Sequence, residues 1–108
     1  MELKNLLKKE IVKAISPLGI RAKEIILFGS KARGDFEKDS DWDILVVLDC
    51  EIDQNDKKEI WYHIYKRLHQ RFPSFSFDVV IKTKRAYERE KEVVNTLANE
   101  AYREGVKL

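Results

Sequence analysis

The alternation of apolar and polar positions divides the chain into six predicted elements. From residue 3 to 18, Leu3, Leu6, Leu7, Ile11, Ala14, Ile15 and Leu18 recur at helical spacing, with lysine and glutamate between them. That is the stripe of an amphipathic helix, and Pro17 and Gly19 stop it. Two short apolar runs follow, at 24–28 and 44–48, each rich in Ile, Val, Leu or Phe and each bounded by charged or glycine residues, the pattern of buried strands. Residues 49–58 are acidic and polar and read as a connection. Ile60, Trp61, Ile64, Tyr65, Leu68 and Phe72 then predict a helix over 56–72, with Asp56 and Glu59 in a capping arrangement and Pro73 and Ser74 at its end.

A third strand is expected over 75–82, where Phe75, Phe77, Val79 and Ile81 share one face and Ser76, Asp78 and Val80 the other. Asp78 interrupts an otherwise apolar run. Val93, Val94, Leu97, Ala98, Ala101 and Tyr102 predict a last helix over 85–103, terminated by Gly105. Helix, strand, strand, helix, strand, helix is the order of an α+β fold, a small mixed sheet with helices packed mainly on one face. No internal repeat or low-complexity segment is visible. At 108 residues the expectation is a single domain, 1–108.

The polar stretch between the first two strands, Gly29 to Asp43, carries the candidate chemistry. Asp41 and Asp43 stand two apart at the mouth of the second strand, so an extended backbone points both carboxylates to one face, about 7 Å apart at Cα. Two like charges about 4 Å apart repel by about 4 kcal/mol at an effective dielectric of 20, which makes a cation between them the natural occupant. Oxygen-only ligands with open positions suit magnesium shared with a phosphate better than zinc. At the other end of the stretch Gly29 permits close backbone approach to a ligand, and Ser30 is expected to cap a short helical turn through Lys31, Ala32 and Arg33 whose N–H groups favour a phosphate. Gly-Ser, ten residues, then Asp-x-Asp reads as a pocket for a nucleoside triphosphate with its metal.

Gly29-Ser30-Lys31-Ala32-Arg33-Gly34 followed by Ser40-Asp41-Trp42-Asp43-Ile44 resembles the signature of the DNA polymerase β superfamily of nucleotidyltransferases, in its minimal nucleotidyltransferase branch. The resemblance covers essentially the whole chain and implies a polymerase-β-like palm fold. It implies a third carboxylate on a neighbouring strand, matched by Asp78, so that Asp41, Asp43 and Asp78 hold two magnesium ions and carry the catalysis. Gly29, Ser30 and Arg33 are the implied nucleotide-binding residues, with ATP as substrate. The branch also implies a partner: small antitoxins paired with HEPN-domain ribonuclease toxins, some of which transfer AMP from ATP to a tyrosine of the toxin.

Composition narrows the remaining classes. Twenty-one basic against nineteen acidic residues give a net charge of +2, far from the basic surface of a nucleic-acid binder, so no nucleic-acid partner is expected. The 37% of charged residues is a bias shared by thermophile proteins and by helical surfaces. One cysteine, Cys50, cannot form an internal disulfide, and no apolar run approaches a membrane span, so a cytoplasmic protein with no membrane partner is expected. His63 and His69 are six apart, which is not the spacing of a zinc pair. Trp42 is expected to point away from its flanking aspartates into the core, and Arg33 either reaches a triphosphate oxygen or the partner protein, or packs its stem on the surface. Two alternatives stay open beside AMP transfer to a toxin: a non-catalytic antitoxin that occludes its partner, and nucleotidyl transfer to a small hydroxylated acceptor. A homo- or hetero-oligomer is compatible with either.

Overall fold

In the computed structural model, four strands form one sheet in the order β3-β2-β1-β4. Residues 2–34 and 40–108 are described; Met1 and residues 35–39, inside the predicted polar stretch, lie outside the described residues. The strands are β1 (Ala22–Phe28), β2 (Trp42–Leu48), β3 (Phe77–Thr83) and β4 (Val106–Lys107). β1 pairs antiparallel with β2 and with β4, whereas β2 and β3 run parallel, so the sheet is mixed as expected. The helices are α1 (Leu3–Ile15), α2 (Ser30–Arg33), α3 (Gln54–Arg71), α4 (Lys84–Glu90) and α5 (Leu97–Glu104). This is the α+β arrangement that the order of elements predicted.

The period-two alternation of the strands sends successive side chains to opposite faces and so creates two cores. Ile25 and Leu27, Ile44, Val46 and Leu48, and Phe77, Val79 and Ile81 meet Leu7, Ile11 and Ile15 of α1 and Ile60, Ile64 and Leu68 of α3. Glu10 of α1, itself buried, accepts a 2.9 Å hydrogen bond from Arg67 Nε of α3 and ties the two helices together. On the other face, Ile26, Phe28, Leu45 and Val47 meet Tyr87 of α4 and Ala98 and Ala101 of α5. The two long helices therefore share one face and two short ones lie on the other.

Three expectations are corrected. Residues 85–103 are not one helix: α4 ends at Glu90, and the chain turns through Asn95, whose φ of +70° is left-handed, before α5 starts. Thr96 restarts the helix by accepting from the Asn99 N–H at 3.0 Å. Val93 and Val94 fall in this turn, 51% and 73% exposed, instead of on a core stripe. Second, the cap of α3 is Asp53, which accepts from the Asp56 N–H at 2.8 Å, so the cap lies three residues earlier than the Asp56–Glu59 pattern indicated. Third, β4 was not foreseen, since two residues are too few to show a period.

Candidate active site

The site lies on the α4/α5 face, where β1 ends and β2 and β3 begin. Within the ladder Asp43 is opposite Phe28 on β1 and opposite Asp78 on β3. Residues paired across a sheet project to the same side, so Asp43 and Asp78 stand next to each other on neighbouring strands. Asp41, exposed, immediately precedes β2, and the Trp42 N–H donates to Ser76 O at 2.8 Å, which holds the starts of β2 and β3 together.

Gly29 follows Phe28 directly and adopts φ +73°, ψ −159°, a conformation open essentially to glycine alone. A Cβ built there would collide with Asp43 Oδ2. The Asp43 carboxylate thus occupies the space that the missing side chain leaves, and it lies against the turn that begins α2. Gly29, not Ser30, is the N-cap of α2, which corrects the expected capping role of Ser30: Gly29 O accepts from the Ala32 and Arg33 N–H groups, both at 3.1 Å, and no side chain caps the turn. Ser30 is the first helical residue, and Gly34 closes the turn in the left-handed conformation. Gly29 and the Asp43 carboxylate are thus in close approach, with Ser30 next in the chain.

The electrostatics report the same crowding. The Asp43 carboxyl is pushed up to about 6, first by burial and then by the negative charges of Asp78, Asp41 and Glu100, with Arg33 pulling in the opposite direction. All three predicted aspartates therefore act on one locus. Among the described residues no group of three His, Cys, Asp or Glu side chains closes on a common point as a ready metal site. The donor set is oxygen-only, and a carboxyl raised by like charge is one that a cation would lower again, so in chemistry these residues fit a hard divalent ion.

Trp42 leaves this face, as expected: it packs against the α1/α3 core and stacks on Phe75 with centroids 5.4 Å apart, while Lys31 Nζ sits 5.0 Å from its ring centroid. Among the described residues, Arg33 reaches the acids of α5. Its Nη1 donates to Glu104 Oε2 at 3.2 Å and lies 3.6 Å from Glu100 Oε1, both on α5. These two glutamates were not singled out in the sequence; the available signal was an i, i+4 acidic pair, which means little until its cation, about seventy positions earlier, is known. His63 pairs with Glu59 and His69 stacks on Tyr65, away from any acid cluster.

The family model described as a nucleotidyltransferase domain matches residues 8–104. This chain belongs to the nucleotidyltransferase-domain family. The match takes in Gly29, Ser30, Asp41, Asp43 and Asp78, so the resemblance drawn from the motif holds at family level. The chain is also 54% identical over 46 residues to a Methanocaldococcus jannaschii protein named "Putative protein adenylyltransferase MJ0604". That similarity takes in 42% of this chain and 46% of the relative, so the chain spans less than half the length of the curated nucleotidyltransferase that it matches. Among the described residues no helix is long and apolar enough to cross a membrane.

Proposed function

We propose that this nucleotidyltransferase transfers AMP from ATP to a hydroxyl of a partner protein, a tyrosine of a HEPN-domain ribonuclease toxin, and so serves as its antitoxin. One observation carries the reading. Asp43 and Asp78 stand in register on one face, and the Gly29 turn is packed onto the Asp43 carboxylate, an arrangement that supports reading the turn as a phosphate cradle beside an acid pair. The name of the archaeal relative supports the protein as acceptor.

In this reading the triphosphate lies over the Gly29–Ser30 turn, where the first N–H groups of α2 and the Arg33 guanidinium meet its oxygens. The acceptor oxygen attacks the α-phosphorus in line, the bond from that phosphorus to the bridging oxygen breaks, and pyrophosphate leaves. In this reading the Asp78 carboxylate takes the hydroxyl proton. Asp41, Asp43 and Asp78 would hold magnesium, two ions by the family resemblance, which supplies neutralisation of the triphosphate and acidification of the acceptor hydroxyl. Trp42, turned to the opposite core, fixes the strand between the two aspartates that precede and follow it.

The test is transfer of label from ATP radiolabelled on the α-phosphate to a HEPN protein encoded beside this chain, with magnesium present. Labelling of the partner by the wild type and its loss in Asp41→Asn with Asp43→Asn is the expected result. A double variant that still neutralises the toxin in cells would transfer the function from chemistry to occlusion. Wild-type protein that binds ATP and labels no partner would defeat the reading.

A further inference from the structure

An open polar cavity of about 510 Å³ lies between α2 and α5, lined among others by Arg33, Thr96, Asn99, Glu100, Arg103 and Glu104. Glu100 and Glu104 are one helical turn apart on α5, an arrangement of like charges that destabilises a helix unless a cation stands between them. Arg33 is that cation, with Nη1 3.2 Å from Glu104 and 3.6 Å from Glu100. Arg103, also lining the cavity, donates through its Nε to Asn99 Oδ1 at 2.9 Å, and Asn99 Nδ2 in turn donates to Lys91 O at 2.8 Å. The position of the two glutamates is fixed from behind, because Ala98 and Ala101 of the same helix are buried against Phe28, Leu45 and Val47.

Arg33 is therefore held between two acidic groups of different kind. On one side are the carboxylates of α5; on the other is the Gly29 turn that opens α2, packed against the Asp43 carboxylate. The side chains of Arg33, Glu100 and Glu104 are each between a third and a half exposed, so the pairing is of the weak, solvent-screened kind. A phosphate group offers the guanidinium fork a bidentate partner of higher charge.

We propose that Glu100 and Glu104 are positioning residues for Arg33, holding its guanidinium at the rim of the aspartate face in the empty protein and yielding it to a phosphate oxygen when a nucleoside triphosphate binds. This rests on the nucleotide reading above. The glutamates are then internal competitors of the phosphate, and their effect on binding passes through Arg33.

The experiment is calorimetric titration with α,β-methylene-ATP and magnesium of four proteins beside the wild type: E100Q/E104Q, E100D/E104D, R33A and R33A/E100Q/E104Q. The glutamine pair should bind about three- to tenfold more tightly than wild type, a direction that a damaged fold would not give. The aspartate pair keeps both charges but withdraws each from the guanidinium, and should resemble the glutamine pair. With Arg33 absent, the glutamine pair should leave affinity within about twofold. Equal tightening with and without Arg33, or an aspartate pair indistinguishable from wild type, would overturn the exchange and leave simple repulsion. Failure of the nucleotide reading looks different: wild type would bind no more tightly than Asp41→Asn with Asp43→Asn, and R33A would change nothing.

Discussion

The two faces of this sheet are made from the same strands and put to opposite uses. Along β2, Ile44, Val46 and Leu48 enter the core under α1 and α3, while Leu45 and Val47 enter the smaller core under α4 and α5 and Asp43 ends that row. The first face is apolar along its strand residues and is roofed by helices of 13 and 18 residues. The second is roofed by helices of 7 and 8 residues and gives way, at one end, to Asp43, Asp78 and the Arg33–Glu104 pair. A strand alternates its side chains whatever its function, so one run of seven residues can supply stability on one side and place carboxylates on the other. Stability and chemistry are thereby separable by position parity.

That separation can be broken most sharply by crossing two substitutions. Asp43→Asn should lower AMP transfer by about a thousandfold or more, equivalent to about 4 kcal/mol of barrier, while the urea midpoint stays level or rises. Leu68→Ala, at a fully buried position under the other face, should lower unfolding free energy by about 2–5 kcal/mol and leave the rate per folded molecule nearly unchanged. If Leu68→Ala impaired transfer in proportion to its loss of stability, the faces would not be independent. Gly29→Ala should fail on both counts at once: the backbone would be strained by about 1–3 kcal/mol and the new Cβ would displace the Asp43 carboxylate, so the melting temperature and transfer should fall together. A smaller effect is expected from pH.

In metal-free protein the folded state keeps the Asp43 proton up to about pH 6, whereas an unfolded chain releases it near 3.8. The folded state thus binds more protons than the unfolded between those values, and stability falls as pH rises through that window. Urea titrations in a chelator should show this slope and should lose it in Asp43→Asn. Magnesium, by favouring the ionised carboxylate, should raise the melting temperature above pH 6 and do little below pH 4. A slope that survives Asp43→Asn would assign the linkage to another group.

The first face was also the legible one. The stripes of α1 and α3 and the apolar runs of the three longer strands repeat often enough for a period to be read, and their boundaries moved by only a few residues. Asp43 and Gly29 were legible for a different reason, since a Gly-Ser turn and an Asp-x-Asp at a strand mouth restrict the chemistry before any packing is known. Asp78 came through resemblance, because nothing local says that β3 lies parallel to β2 with Asp78 in register with Asp43. What stayed hidden was the region that roofs the site. Val93 and Val94 have the polarity of core residues, yet a left-handed Asn95 and a Thr96 cap break the helix there, a local decision that outweighs the apolar stripe. Glu100 and Glu104 stayed hidden because their partner, Arg33, is remote in the chain and adjacent only after folding.

Of the two tryptophans in the chain, Trp42 has the Lys31 ammonium over its ring and an aspartate on either side in the chain, while the indole of Trp61 is fastened to Val79 O at 2.9 Å. Anything anionic that draws Lys31 away will alter the emission of Trp42. With Trp61→Phe, the emission of Trp42 alone would report such a change without an attached dye.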